Sequence, residues 1–514
     1  MEVRGGWWWL SLCLSLILIP LFLLKFISKR SPTLPPGPFA IPLIVNIIFL
    51  SKSFSDIEPI IRNLHAKYGP VVSLRIGTRR AVFIADRVLA HQALIHNGVV
   101  FADRPAALPT AKIFNSNQHN ISSARYGPTW RLLRRNITSE ILHPSRVKSY
   151  SRARKWVLDI LFKRLESDAQ SAAAGVRVMD HFQYAMFCLL VLMCFGDKLD
   201  ESKIKEIETI QRRMMLAFSR FNILNFWPSL TKILFRKQWQ QLLQLRDDQR
   251  EVLVPLINSR KKVEETKVST CDDNDDFVLC YVDTLLGLEL PEEKRKLDIG
   301  ELVSLSSEFL NAGTDTTSTA LQWIMANIVK HPQIQGKIYE EIKGVVGNDD
   351  GRRVEIEEED LQKMPYLKAV ILEGLRRHPP AHFVVPHAVS EDAVVGGHVV
   401  PKQTRVNFMV AEMGWDPKVW EDPMAFKPER FLVGDDSKVE FDITGNREIK
   451  MMPFGAGRRI CPAYGLAMLH LEYFVANLVW KFEWNKVDEV DLSEVQEFTI
   501  VMKHPLHARL TPRH

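Results

Sequence analysis

Cysteine is scarce in this chain: six in 514 residues, at 13, 188, 194, 271, 280 and 461, with no C-x-x-C pair and no dense, even spacing. That excludes a disulfide scaffold and indicates a reduced, cytosol-facing domain. Charge of one sign is lacking too. The 67 basic and 61 acidic residues leave +6, and Arg4, Lys25, Lys29 and Arg30 against Glu2 supply half of it. The excess over the rest of the chain is too small to imply nucleic acid. There is no internal repeat, and no Pro/Gly/Ser linker divides the middle, so one large domain is expected. At 46% hydrophobic and 25% charged residues the composition excludes disordered and fibrous classes.

What is present begins with an apolar N-terminus. Trp7 to Leu24 is uncharged, and with Phe26 and Ile27 it spans about 31 Å at roughly 1.5 Å rise per residue, matching a bilayer core of about 30 Å. The run exceeds the ~7–15 residues of a cleaved signal, and no A-x-A-like site follows. Leu34-Pro35-Pro36-Gly37-Pro38 cannot be helical, because consecutive prolines remove donors and fix φ, so it forms a stiff hinge. Trp7, Trp8 and Trp9 suit one interface, and Lys25, Lys29 and Arg30 flank the other. Residues 1–30 are therefore expected to be a single-pass transmembrane anchor, 31–38 a hinge, and 39–514 a catalytic domain on the cytosolic side of the endoplasmic reticulum. The sequons at Asn120 and Asn136 would then never meet the glycosylation machinery.

Val71–Ile76 with Ala81–Ala85, and Val394-Val395 with Val399-Val400 around Gly396-Gly397, predict hairpins of a small sheet. Helical periods run over Trp130–Ile141, Ile204–Phe218, Gly300–Lys330, Pro365–Arg377 and Tyr464–Val479. The expected fold class is mainly α with minor β. Charged Lys261–Asp276 has the composition of a mobile surface loop, while Cys188 and Cys194 sit in an apolar run as small core hydrophobes.

One cysteine stands apart. Phe454-Gly455-Ala456-Gly457-Arg458-Arg459-Ile460-Cys461 puts a thiol after a glycine-rich turn and directly before a helix, where the dipole and nearby N–H groups favour a thiolate and Arg459 adds positive charge for an anionic partner. A metal-bound thiolate fits, and haem propionates fit the arginine. Zinc would need more ligands at close spacing, and C-x-x-C-H for covalent haem is absent.

A second segment supports it. Leu302, Leu305, Phe309, Ala312, Thr316 and Ala320 mark one face of a helix expected to be buried. Within it Ala312-Gly313-Thr314-Asp315-Thr316-Thr317-Ser318-Thr319 is a poor mid-helix choice, Gly costing roughly 1 kcal/mol against Ala. Chemistry accounts for the cost: Gly313 lets a ligand approach the backbone, Thr hydroxyls capture carbonyls four residues earlier and open the ladder, and Asp315 and Thr316 supply a proton relay. Glu373 and Arg376 share a helix face and can pair, and Pro428-Glu429-Arg430-Phe431 offers a second arginine. Trp130 and Arg134, one turn apart, suit a propionate, although an amphipathic surface helix explains them nearly as well. His387 is equally ambiguous.

These motifs, in this order and across the whole chain, resemble the cytochrome P-450 superfamily: proline hinge, W-x-x-x-R, A-G-x-D-T-T, E-x-x-R, P-E-R-F and F-x-x-G-x-R-x-C. Met451–Cys461 and Glu308–Pro332 look like the plant microsomal A-type group, and within it family eighty-nine, subfamily A. The resemblance implies a cytochrome P-450 fold with haem b (iron protoporphyrin IX), Cys461 as proximal iron ligand, and Phe454 in the ligand turn. It implies Trp130, Arg134, His387 and Arg459 at the propionates, Asp315 and Thr316 in oxygen activation, and Glu373, Arg376 and Arg430 as a structural triad. Pocket walls should come from residues 105–120, Glu308–Ala312 with Phe309, Asn311 and Ala312, Ala381–Val385 with His382, Phe383 and Val384, and Phe498–Met502 with Thr499 and Ile500. Asn311 and His382 serve equally as polar substrate contacts or as a solvent-facing helix residue and a loop histidine. Two positions depart from the pattern. Ala463 stands where the family usually has glycine, an added methyl costing near 1–3 kcal/mol at most, and Trp415 stands where arginine is common and receives no function.

The implied reaction inserts one oxygen atom from dioxygen into a small apolar substrate, with electrons from NADPH through a membrane flavoprotein reductase. A haem-thiolate isomerase or dehydratase is the second reading, disfavoured because such an enzyme has no need of Asp315 and Thr316. A membrane haem-binding sensor is the third.

Overall fold

The helical periods of the sequence fold into a mainly helical body with small sheets at its margin. The structure, a computed structural model, describes residues 34–38, 54–76, 79–171, 175–225, 227–269, 279–347, 355–434 and 438–513. The expected anchor at residues 1–30 lies outside the described residues, as do hinge residues 31–33 and the 77–78 turn. The principal helices are α1 Phe54–Tyr68, α2 Pro128–Asn136, α3 Ser151–Ser171, α4 Val178–Phe195, α5 Glu201–Ala217, α6 Arg236–Ser269, α7 Ile299–Lys330, α8 Pro332–Val346, α9 Pro365–Arg377 and α10 Tyr464–Lys481.

Helix α7 is the longest central element, and its start is set by a capping box. Asp298 accepts from the Glu301 N–H at 2.8 Å while Glu301 accepts from the Asp298 N–H at 2.7 Å, satisfying two donors that the helix end would leave free. Helix α4 packs beside it. Val178–Phe195 is apolar and long enough to cross a membrane, but 94% of it is buried inside the protein, which makes it a core helix. Cys188 and Cys194 lie within it, buried, their thiols pushed up by burial. The close approach of α4 and α7 is made at Gly313, where a Cβ would stand 2.7 Å from Leu190 Cδ1. Gly313 therefore serves helix packing, and the expectation that it admits a ligand to the backbone is corrected. The Thr hydroxyls do cap earlier carbonyls, Thr314 to Leu310 at 2.8 Å and Thr316 to Ala312 at 2.7 Å. Yet α7 runs helical throughout, so the expected opening of its ladder is not seen.

The main sheet joins β1 Val71–Ile76, β2 Arg79–Ile84, β3 His387–Ala388 and β4 Arg405–Phe408, with β2 between β1 and β4 and β4 parallel to β2. The second expected hairpin pairs Ala393–Val395 with His398–Val400. Both turn residues, Gly396 and Gly397, have positive φ, the conformation a tight two-residue hairpin demands. A last hairpin, β5 Glu494–Gln496 and β6 Ile500–Met502, lies against α7, where Trp323 Nε1 donates to the Ile500 carbonyl at 2.8 Å. One expectation fails: α6 continues through Ser269, so Lys261–Ser269 are helical, and 270–278 lie outside the described residues. Lys, Glu and Arg are good helix formers, and charge content alone cannot separate a solvated helix from a loop. Asn120 and Asn136 are both buried, so neither is available to a glycan in this fold.

Glu373 and Arg376 on α9 are fully buried and bidentate, at 2.7 and 2.8 Å. Arg376 also donates to the carbonyls of Gly414, Pro423 and Ala425, Glu373 accepts the Lys427 N–H at 2.8 Å, and Arg430 reaches Glu373 at 3.2 Å. These bonds pin residues 414–430 to α9. Removing the anion should be costly: Glu373→Ala leaves two guanidiniums inside without it and should destabilise by about 3–5 kcal/mol in denaturant unfolding. A loss below about 1 kcal/mol, typical of a surface pair, would refute this account.

Candidate active site

The turn ahead of α10 is built on glycines at positive φ, Gly455 and Gly457. A Cβ on Gly457 would stand 2.1 Å from the Leu94 carbonyl oxygen, so no other residue fits there. The turn closes when Cys461 N–H donates to the Phe454 carbonyl at 2.9 Å. Cys461 is left partly exposed. Burial pushes its thiol up, while the Ala463 N–H and the Arg134 guanidinium pull the other way. Burial wins, and the cation acting on the sulfur is Arg134. A metal cation bound at the sulfur would supply the missing term, because a coordinated thiol deprotonates outright. Ala463 has φ −98°, an ordinary conformation, so the backbone there does not call for glycine.

Arg459 stacks over Trp130 at 4.3 Å and donates to the carbonyls of Ala102 and Ala124, each at 2.7 Å, and of Ile121 at 3.3 Å. Arg104 is buried beside it, bonded to the carbonyls of Ser122, Val385 and Pro386. Burial first, then mutual repulsion, lowers Arg104 to about 9, and burial lowers Arg459 to about 10 with Arg134 adding to it. His387 donates from Nδ1 to the Phe101 carbonyl at 2.6 Å, and burial and the two arginines hold it neutral. None of Arg104, Arg134 and Arg459 forms an ion pair with a carboxylate among the described residues. Asp103 and Glu308 are nearby, but each spends oxygens on backbone N–H groups: Asp103 on Arg104 and Tyr126, Glu308 on Ile121 and Ser122. Cations without ion pairs would suit a dianionic ligand such as the two propionates of a haem, with Cys461 placed where it could meet the iron. Arg104 escaped the sequence reading because an arginine before Pro105 carries no periodic or spacing signal.

The α7 stripe is not buried throughout. Leu302, Leu305 and Phe309 are buried and so is Ala320, but Ala312 is exposed and Thr316 only half-buried, so mid-helix the stripe is open to solvent. Asp315 accepts from Gln183 Nε2 at 3.1 Å, and Arg212 donates to Gln183 Oε1 at 2.8 Å. Burial raises the Asp315 carboxyl, opposed by Arg212 and Gln183. Gln183 is a second residue missed by sequence, since its partner lies on another helix.

The expected pocket residues separate. Val384 lies beside the ligand turn, 3.6 Å from a Cβ placed on Gly455. Phe383 meets Phe83 edge-on at 6.2 Å. Phe309 stacks on Tyr281 at 4.9 Å within the core. Thr499 spends its hydroxyl on Thr319 at 2.8 Å, and Ile500 is buried against α7. His382 is no free pocket contact: it is buried, its Nδ1 2.7 Å from Glu58, with Trp415 packed edge-on at 5.2 Å. Trp415 donates to the Arg377 carbonyl at 2.9 Å and lies under the guanidiniums of Arg62 and Arg377, which gives it a packing role. Asn311 is half-buried, bonded to Gln211 and Ser307.

The family model described as Cytochrome P450 matches residues 35–512. Cytochrome P450 89A9 of Arabidopsis thaliana is 52% identical over 98% of both chains, and costunolide synthase of Cichorium intybus is 31% identical over 96% of both. A zebrafish cytochrome P450 solved with progesterone superposes with a TM-score of 0.72 at 22% identity, covering 89% of this chain and 99% of its own, a likeness of fold.

Next to the β5–β6 hairpin, His378 stacks flat on Trp323 at 4.1 Å, and its Nδ1 lies 3.0 Å from Glu494. Burial lowers it from 6.5 to about 4. Between those values the unfolded chain binds the extra proton, so stability rises with pH and is lost as pH falls through this window, by up to about 1.4 kcal/mol per unit. Unfolding at about pH 7 and pH 5 should show this loss, and His378→Gln should reduce it. An unchanged slope in the variant would place the acid sensitivity elsewhere.

Proposed function

The chain belongs to the cytochrome P450 family and is a haem-thiolate monooxygenase; from that premise we propose that Cys461 is the iron ligand and that the substrate is a small apolar molecule. The observation that carries the site assignment is the gathering of buried Arg104 and half-buried Arg134 and Arg459, without ion pairs among the described residues, around the turn that presents Cys461. We propose that they and Trp130 and His387 hold the propionates of haem b.

When bound, the haem supplies the activation of dioxygen, with electrons passed from NADPH by a flavoprotein reductase. The protein's own part is to move protons and exclude water. Asp315, its carboxyl raised by burial, can carry a proton closer to neutral pH than an exposed carboxylate can, and Gln183 holds one of its oxygens while the other is free to turn. The Thr316 hydroxyl rests on the Ala312 carbonyl at the open part of α7, from which it can turn to hold a water. Asp315 and Thr316 together are the relay we assign to the open stretch of α7. Phe454 closes the ligand turn through its carbonyl. The apolar run of residues 7–27 supports a single-pass anchor in the endoplasmic reticulum with residues 39–514 in the cytosol.

Cys461→Ala should abolish the red-shifted Soret band that thiolate ligation gives the reduced carbon monoxide complex. A band of unchanged position would sink the assignment. Thr316→Ala should keep haem and substrate binding while NADPH consumption becomes uncoupled, peroxide replacing product, with product formation down roughly 10²–10⁴-fold. Full coupling in that variant would move the relay elsewhere.

A further inference from the structure

Asp315 is held from behind by a two-residue chain that ends at the surface. Its Oδ1 accepts from Gln183 Nε2 of α4 at 3.1 Å, and Gln183 Oε1 accepts from Arg212 Nη1 of α5 at 2.8 Å. Gln183 is buried, whereas the Arg212 side chain is 46% exposed and stands 3.9 Å from Glu497, the residue after β5. Glu208 lies one helical turn before Arg212 on the same face of α5. Burial raises the Glu208 carboxyl, Arg212 opposes this, and Asp315 adds to it. The charged groups that face Asp315 are therefore Arg212 and Glu208 from α5 and Glu497 from the hairpin.

A buried amide can meet a carboxyl group in two ways. With its nitrogen toward Asp315, as here, Gln183 donates, and a proton on Asp315 is left free for Thr316. Turned over, the amide oxygen would accept a hydrogen bond from the protonated carboxyl and hold that proton toward α4. The group at the far end decides between the two. A guanidinium has donors only, so it takes the Gln183 oxygen and leaves the nitrogen for Asp315. Burial raises the Asp315 carboxyl, and Arg212 and then Gln183 oppose it. Because Arg212 is exposed, solvent and salt screen its charge, but its hold on the amide is a direct contact that salt does not screen.

We propose that Arg212 is a positioning residue: by fixing the orientation of the Gln183 amide, it keeps the Asp315 proton directed at Thr316. Gln183 and Arg212 both act through Asp315. The proposal rests on the relay assigned above and adds what directs it.

The test uses the full-length holoenzyme in detergent and is read on the resting protein. The Asp315 carboxyl is titrated by infrared difference spectroscopy, its C=O band being the one lost in Asp315→Asn. Arg212→Leu should move the titration up by about one pH unit. The band should also rise in frequency, because the turned amide no longer donates to the C=O. Gln183→Leu should move the titration in the same direction. Arg212→Lys, which again offers donors only, should keep the wild-type value. The Arg212→Leu shift should persist at about 1 M salt, where the Debye length is roughly 3 Å. An unmoved titration in Arg212→Leu, a shift equally large in Arg212→Lys, or a shift that vanishes at high salt would overturn the inference. The relay is judged separately, by the coupling of Thr316→Ala. Full coupling there together with a shifted titration in Arg212→Leu sinks the relay and leaves the hold of Arg212 on Asp315 standing.

Discussion

A guanidinium taken out of water needs an anion or a full set of acceptors, and the structure turns on how its buried arginines meet that need. Arg376 has both, Glu373 and three carbonyls, and so becomes the clamp that fixes residues 414–430 to α9. Arg104 and Arg459 have carbonyls only, and the Arg134 guanidinium makes no hydrogen bond among the described residues. Asp103 and Glu308 act on Arg104, and Asp103 on Arg459, from a distance, but no carboxylate closes an ion pair with any of the three among the described residues. The same residue type thus builds a rigid support in one place and a reception site for an anionic ligand in another. The difference is one carboxylate.

Arg246 shows a third solution. It gives its protons to a carbonyl, a hydroxyl and an amide, and so passes a direction along Gln249 and Gln211 to Asn311. Asn311, Asp315 and Thr316 all lie on α7. Its packing against α4 at Gly313 and its bonds to the β5–β6 hairpin through Thr319 and Trp323 hold that helix in the core.

Local signals were the ones legible beforehand. The 3.6-residue period located α2, α5, α7, α9 and α10, paired glycines located one hairpin, and the spacing of Glu373 and Arg376 anticipated their bond. Where several local signals coincided, as at Phe454 to Cys461, the ligand turn could be read with its helix. What failed were inferences from composition to environment: the charged stretch from Lys261 is helical through Ser269, Gly313 faces Leu190, and His382 lies in a buried contact with Glu58.

The sequence by itself determined the helical class, the family, the cysteine that ends the glycine turn and the order of the motifs, because each depends on residues near one another along the chain. Only the tertiary structure decided which cations are left without a partner, which pocket residues are already spent, and which way each buried amide points. Those depend on burial and on acceptors brought from distant segments. Arg104 draws its carbonyls from Ser122, Val385 and Pro386, and no spacing in the sequence relates those positions.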